Sequence, residues 1–404
     1  MIKMKKITIV SLFLLVLQSV TAQERVITTG VPFLLISADA RAAGIGDMGA
    51  ATSADVFSQQ YNPSKYAFAL NKYGFSVSYT PYLTSIANDI SLGQVTFYDR
   101  FNERSAFAAS LRYFGLGDIE LRETGDPNEI PRTVSPNELA FDLSYALKLS
   151  DQFSMGIAGR YIRSNLKIPD GNTDASAANS FAVDVSGFYQ SEEFAMSDFN
   201  ARYRIGLNLQ NMGPKISYDG EVERSSNFLP ANFKLGSSFD FILDDYNKVS
   251  VIGEINKLMV PTPLDPGGPI DTNNDGDLLD PEDITQSEAY SIANEKYRQI
   301  GWFEGMVKSF GDAPGGFSEE MKEIAWALGA EYWYQDSFAF RTGYFHESPE
   351  KGARQYATIG AGFKYNTVKV DVSYLFSTSQ VRNPLENTLR FSLSFSFGDE
   401  YDEY

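Results

Sequence analysis

Phe391-Ser392-Leu393-Ser394-Phe395-Ser396-Phe397 decides how the rest of the chain is read. Large apolar side chains stand at every odd position and serine at every even one. A period of two puts successive side chains on opposite faces of an extended backbone, so the stretch is strand and not helix. One face of rings and one of hydroxyls suits a sheet between two solvents, lipid and water.

The same alternation recurs through the chain. Val368, Val370, Val372, Tyr374 and Phe376 interleave with Lys369, Asp371 and Ser373. Leu139, Phe141, Leu143, Tyr145 and Leu147 alternate with Ala140, Asp142, Ser144, Ala146 and Lys148. Phe153, Met155, Ile157 and Tyr161 oppose Ser154, Gly156 and Arg160, and Tyr203, Ile205, Leu207 and Leu209 oppose Arg204, Gly206, Asn208 and Gln210. About fourteen such segments can be counted by pattern. They fall near 73–81, 88–99, 104–115, 137–149, 152–164, 179–190, 201–212, 231–242, 247–258, 322–335, 337–346, 354–365, 367–378 and 387–398.

An even count suits a closed barrel, which leaves no unpaired strand edge in lipid. Connections after even-numbered segments are mostly tight: Asp99–Glu103, Ser150-Asp151, Leu243–Tyr246, Asp336 and Asn366. Those after odd-numbered segments run longer, notably 116–136, 165–178, 213–230 and 259–321. Short turns at one end and long loops at the other are the outer-membrane pattern, short turns periplasmic and long loops extracellular. The expectation is an all-β protein: a transmembrane antiparallel β-barrel of about 14 strands over residues 73–398, with an acidic C-terminal tail at 399–404. Tyr79, Tyr82, Tyr98, Phe101, Tyr113 and Phe114, near strand ends, are expected in the interfacial aromatic girdles.

Composition agrees. Aromatic residues make up 14% of the 404, with 30 Phe and 23 Tyr, yet mean hydropathy is −0.24. Spanning helices are excluded by that average, whereas alternating strands produce it, each lipid-facing residue being offset by a polar neighbour. A net charge of −18 excludes nucleic-acid binding through counterion release. With no cysteine there is no disulfide, thiolate nucleophile or zinc ribbon, and the single histidine excludes a multi-histidine metal site.

Residues 1–22 read as a secretory signal peptide. Lys3, Lys5 and Lys6 precede the short apolar run Ile7 to Leu17, and Val20-Thr21-Ala22 offers a cleavage site before Gln23. The run is too short to span a bilayer, which takes about 20 apolar residues. Removing the three lysines takes the charge from −18 to −21. Residues 23–72 do not alternate and are too many for an ordinary connection. Small residues in Asp39-Ala40-Arg41-Ala42-Ala43-Gly44-Ile45-Gly46-Asp47 permit close packing, and Asn62-Pro63 favours a turn. Phe33, Leu34, Leu35, Ile36, Met48 and Phe57 need burial, and the barrel lumen is the nearest container, so an N-terminal plug is expected.

This leader carries a family resemblance. Residues 39–52, DARAAGIGDMGAAT, followed by NPSKYA at 62–67, resemble the N-terminus of FadL-like barrels, fourteen-stranded outer-membrane proteins with a plugged lumen. More closely, the Ala22-Gln23 junction, the leader GVPFLLISADARAAGIGDMG at 30–49, the strand count and the long acidic loop late in the chain resemble the PorV family. That family belongs to the type IX secretion system of Bacteroidetes. The resemblance implies no enzyme chemistry. Instead it implies association with the giant translocon barrel, receipt of secreted cargo through the cargo's C-terminal domain, and delivery to the surface-attachment (sortase-like) complex. Outer-membrane lipid is then the remaining partner. The competing reading is a FadL-like transporter of hydrophobic small molecules, disfavoured by the lack of a clearly apolar lumen face. A general porin is disfavoured by the leader.

Local motifs complete the reading. Asp271, Asn273, Asp275, Gly276 and Glu282 fill positions 1, 3, 5, 6 and 12 of a calcium loop, with Leu278 apolar at position 8 and Asp277 offering its backbone carbonyl. Short oxygen-bearing side chains at alternate positions wrap one cation while the glycine allows the sharp turn. Calcium is therefore the expected cofactor, held by Asp271, Asn273, Asp275, Asp277 and Glu282 within the 259–321 loop. Ser287 to Phe310 is expected to form a helix capping the barrel. His346 lacks triad partners and reads as a surface-loop histidine. Arg112, Arg160 and Arg204 fall on the polar face, where pairing with Asp142 and the leader is expected.

Overall fold

In a computed structural model the described residues are 26–84, 87–122, 130–166, 177–218, 226–264, 268–270, 272, 283–379 and 383–401. Among them, fourteen long strands close one sheet. They are β1 (Asn71–Pro81), β2 (Ile90–Asp99), β3 (Ser105–Leu116), β4 (Asn137–Lys148), β5 (Phe153–Asn165), β6 (Ala178–Gln190) and β7 (Asn200–Met212). The series continues with β8 (Asn232–Ile242), β9 (Asn247–Leu258), β10 (Ile324–Tyr334), β11 (Phe338–His346), β12 (Gln355–Tyr365), β13 (Val368–Ser377) and β14 (Leu389–Glu400). Every strand pairs antiparallel with its sequence neighbours, and β14 returns to β1. Two short additions accompany the wall: Ile119–Leu121 and Arg132–Val134 pair as a separate two-stranded ribbon, and Phe194–Ala195 pairs with β7.

The closing seam shows why these sequences make a wall. Phe75↔Phe395, Val77↔Leu393 and Tyr79↔Phe391 face outward as cross-strand pairs, and Ser76↔Ser394 and Ser78↔Ser392 face inward. Cross-strand aromatic and β-branched contacts of this kind each contribute about 0.2–1 kcal/mol. A one-residue slip would turn every ring into the lumen, so the two-solvent pattern fixes register. The tight turns obey local rules: Asn366 takes φ 51° in the two-residue β12–β13 connection, and Gln335 and Asp336 take 53° and 48° between β10 and β11. Left-handed pairs of this hand match the twist of hairpin strands.

Lipid exposure yields a prediction. Leu143 lies mid-strand in β4, points outward and is 56% exposed. Leu143→Lys is expected to lower folding stability in vesicles by about 2–4 kcal/mol, the cost of a basic side chain at the bilayer midplane. Guanidinium titration in vesicles reads the change. An unaltered midpoint would place this face out of lipid.

The girdle expectation needs correction. Tyr79, Phe101 and Tyr113 are exposed, but Tyr98 and Phe114 are buried and Tyr82 half-buried, packed inward on the leader. Tyr98 shares strand parity with inward Gln94 and Thr96, and Phe114 with inward Ser110 and Arg112. Tyr98 stacks on Tyr66, and Phe114 packs against Phe33 and Tyr82. Parity outranks nearness to a strand end.

Among the described residues five α-helices accompany the strands: α1 (Ala40–Gly44) and α2 (Ser58–Tyr61) before β1, then α3 (Gln286–Gln299), α4 (Trp302–Lys308) and α5 (Phe317–Lys322) between β9 and β10, with 3-10 turns at Pro32–Leu35 and Pro63–Phe68. The single helix expected over 287–310 is therefore two, broken at Ile300-Gly301. Helix α3 starts on a capping box, Thr285 and Glu288 each satisfying the other's backbone N–H. Gly301, a weak helix former, begins the second helix as its N-cap.

Candidate functional site

The leader runs between inward-facing side chains on all sides of the barrel. Its apolar residues are nearly inaccessible: Phe33, Ala38, Ala40, Ile45, Met48, Ala50 and Ala51 are each fully buried. Glycines on the wall let its backbone come close. A side chain at Gly206 would overlap the Ala50 carbonyl, one at Gly343 would overlap Ile45 and Gly46, and one at Gly156 would press on Ser64. Small residues on the leader and glycines on the strands meet as complementary surfaces.

Polar groups fix its position. Asp39 caps α1 by accepting from the Ala42 N–H at 2.9 Å and from the Tyr61 hydroxyl at 2.5 Å. Glu254 of β9 accepts the N–H groups of both Gly49 and Ala50 at 2.9 Å. Asn62 donates to the carbonyls of Ala50 and Gly187, joining two leader segments to β6. Asn208 and Gln210 of β7 donate to Tyr61 and Gln60 carbonyls, and Ser154 of β5 to that of Ser64. Lys65 is buried and donates to the Gly49 carbonyl at 2.8 Å and the Thr52 hydroxyl at 2.9 Å.

Two buried charge networks back these contacts. In the first, Arg41 of the leader bridges Glu331 of β10 at 2.9 Å and Asp55 at 2.8 Å. Glu331 also receives Arg341 of β11 at 2.5 Å, and Arg341 pairs with Asp371 of β13 at 2.7 Å. In the second, Arg160 pairs with Asp142 at 2.5 Å and Asp184 at 3.0 Å, and hydrogen-bonds Asn211. Arg112 lies 3.7 Å from Asp142 and donates to the Leu34 carbonyl at 3.0 Å. Arg204 pairs with Asp240 at 2.6 Å. The pairing expected of Arg112 and Arg160 with Asp142 is present, while Arg204 takes Asp240. Charges this buried add little net stability when paired, but removing one partner costs about 3–5 kcal/mol.

The sequence did not single out Glu254, Glu331, Arg341 or Asp371. Each stands at an inward position in its strand, and that parity was the available signal.

The expected calcium ligands Asp271, Asn273, Asp275, Asp277 and Glu282 lie outside the described residues. Beside them, Ile270 and Ile284 bond reciprocally at 3.0 and 3.1 Å, and the Thr272 N–H donates to Asp283 at 2.9 Å. A different acidic cluster, Asp312, Glu320 and Glu323, brings three carboxylates within 4.8 Å. Burial, with Glu323 and Glu320 beside it, pushes the Asp312 carboxyl up. Lysines serve this cluster: Lys257 reaches Glu320 at 3.1 Å and Glu323 at 2.7 Å, and Lys351 reaches Glu323 at 3.1 Å. His346 is the last residue of β11 rather than a loop residue, stacked on Trp326 with ring centres 5.0 Å apart.

A cavity of about 150 Å³ lies between the leader and the long-connection rim. Leu35, Ile36, Phe345 and Leu385 give it an apolar side, and Lys351, Arg354 and Glu347 a charged one.

A closed, lipid-faced antiparallel barrel whose lumen holds its own N-terminal segment defines an outer-membrane β-barrel protein. The family model for type IX secretion system protein PorV matches residues 19–265, and the chain belongs to that family. No curated protein matches the sequence. Similar solved structures include the Pseudomonas putida toluene transporter TodX at 10% identity, covering 90% of this chain and 99% of that one, TM-score 0.47. The Ralstonia pickettii toluene transporter TbuX is 11% identical, covering 90% and 97%, TM-score 0.41. A Pseudomonas aeruginosa FadL homologue is 11% identical, covering 93% and 100%, TM-score 0.41.

Proposed function

We propose that the protein acts as an adaptor of type IX secretion, working through its rim and outer wall rather than as a conduit. In this reading it binds the giant translocon barrel, receives secreted cargo through the cargo's C-terminal domain, and passes it to the surface-attachment (sortase-like) complex. The observation that carries the reading is the leader itself, cross-linked to β5, β6, β7, β9 and β10 by buried hydrogen bonds and an ion pair. A barrel organised to hold that segment offers its outside, not its inside, to other proteins. The leader then serves as a plug, with the long connections on the extracellular side and the tight turns periplasmic, as the outer-membrane pattern has it.

Purification from outer membranes in mild detergent tests this. A giant barrel and secreted proteins are expected to co-purify. Recovery of the barrel with bound lipid alone would favour transport of hydrophobic small molecules. The rim cavity is the observation on that second side. Its 150 Å³ matches a space that holds a benzene-sized group.

Calcium binding at Asp271, Asn273, Asp275, Asp277 and Glu282 is part of the proposal, as a means of stiffening the 259–321 loop into a docking surface. The paired Ile270 and Ile284 hold residues on either side of the motif together, which suits a closed ion loop. Calorimetric titration of the full-length protein with calcium is expected to show one site in the micromolar-to-millimolar range, lost in Asp275→Ala. A flat titration of the unaltered protein removes the calcium role and leaves the adaptor reading standing.

A further inference from the structure

Helix α4 presents three different faces. Gly305 and Ser309 are buried, and a Cβ on Gly305 would meet Phe228 at 2.9 Å and Pro261 at 3.0 Å. That stripe seats the helix on the segments entering β8 and leaving β9. Glu304 and Lys308 form a polar stripe, joined by an i,i+4 ion pair at 2.6 Å. Phe303, Val307 and, just past the helix end, Phe310 form the third stripe, 63%, 63% and 53% exposed. Spacing of four and three residues keeps such side chains on one side.

Phe310 shows where the third stripe leads. Its ring centre is 6.3 Å from that of Phe233, edge to face, and the Lys257 ammonium is 5.9 Å from it. Phe233 and Lys257 are cross-strand partners on β8 and β9 that share the parity of the outward residues Leu235 and Ile255, Phe233 half-buried and Lys257 buried by its partners. One pleat repeat along the same strands the outward pair is Leu235↔Ile255, with Trp326 of β10 beside it. These belong to the exposed apolar wall. A pleat repeat is about 7 Å, so the stripe reaches the exposed wall within one repeat, with Lys257 and its half-buried partners Glu320 and Glu323 the polar groups beside the junction.

We propose that α4 lies in the membrane interface at the long-connection end, with Phe303, Val307 and Phe310 among the acyl chains. Its polar stripe, Glu304 and Lys308, turns toward headgroups and water. Interfacial helices sit this way, the apolar side sunk about 5–10 Å below the headgroups. Lipid is the occupant because the stripe continues a surface already immersed in lipid. The inference needs only the outer-membrane barrel and not the secretion reading. Its consequence is that the 259–321 connection is tethered to the bilayer rather than projecting freely from the rim.

The absence of cysteine makes the test direct, since each introduced cysteine is unique. Phe303→Cys and Val307→Cys carry a nitroxide in phosphatidylcholine–phosphatidylglycerol nanodiscs, with Leu235→Cys as the lipid reference and Glu304→Cys as the water reference. Collision with oxygen is compared with collision with a water-soluble nickel chelate. The oxygen-to-nickel ratio at 303 and 307 is expected within about twofold of that at 235, and at least about fivefold above that at 304. Ratios at 303 and 307 equal to that at 304 would overturn the proposal. So would shielding that arises only after the translocon barrel is added, which would make the stripe a protein contact. The heat-dependent gel mobility of each variant checks folding. Should the Phe303 variant fail that check, Val307→Cys alone decides.

Discussion

Glu331→Ala is expected to free the leader while the wall stays closed. Glu331 is the only wall carboxylate paired with Arg41 among the described residues, and it also accepts from Arg341. Its loss leaves two buried guanidinium groups short of a partner, though Asp55 and Asp371 still hold one side of each. Stranding buried charge in this way costs about 3–5 kcal/mol. That corresponds to a shift of about two to four orders of magnitude in the ratio of docked to released leader. The wall's own ladder does not depend on the carboxylate, because Glu331 pairs through its backbone with Ser250 and Arg341. Trypsin is expected to cleave the variant after Arg41 and Lys65, which are buried in the unaltered protein, and to leave those two bonds intact there. Planar-bilayer conductance is expected to rise in parallel. Glu331→Gln, which keeps shape and one acceptor oxygen, should fall between. Protection of the bonds after Arg41 and Lys65 in Glu331→Ala would mean that the charge network does not hold the leader.

The wall was legible because each strand records two solvents in alternate residues. Segments read as 179–190 and 247–258 are β6 at Ala178–Gln190 and β9 at Asn247–Leu258. The interior was legible only by parity. Asp142, Arg112, Arg160 and Arg204 could be assigned inward, since each alternates with large apolar neighbours. Partner choice could not be read, because it depends on register around the closed ring. Arg41 meets Glu331 across 290 residues of chain, and Asp47 meets Arg390 across 343. Tyr98 and Phe114 follow the inward parity of their own strands, which outweighs their nearness to strand ends. Inward Leu92, Ile162, Phe188 and Ile252 have the same explanation: they face an apolar leader, not water. Helix α3 breaks before Gly301, a boundary that the apolar spacing of 287–310 did not reveal.

Gly206→Val separates wall from leader in the opposite way. Valine suits a strand better than glycine, so β7 itself should tolerate or welcome the change. The side chain would, however, point inward into the Ala50 carbonyl and crowd the Ala51 N–H. Overpacking usually costs about 1–3 kcal/mol, relieved by a change of rotamer. Here the obstacle is backbone, and that backbone is held: Glu254 binds the Gly49 and Ala50 N–H groups, and Asn62 binds the Ala50 carbonyl. Relief requires displacing residues 49–51, which breaks those three hydrogen bonds together. The expected loss is therefore above the usual range, with trypsin cleavage and conductance rising while heat-dependent gel mobility stays that of a folded barrel. Gly159→Val is the matched control. It places the same valine on the outward face of β5, where a Cβ meets nothing within 4 Å, and is expected to leave protection unchanged. Equal protection in the two variants would show that the leader does not depend on close approach to β7. Cleavage in Gly206→Val alone would place its anchorage in the backbone contact, independent of the charges that Glu331 holds on β10.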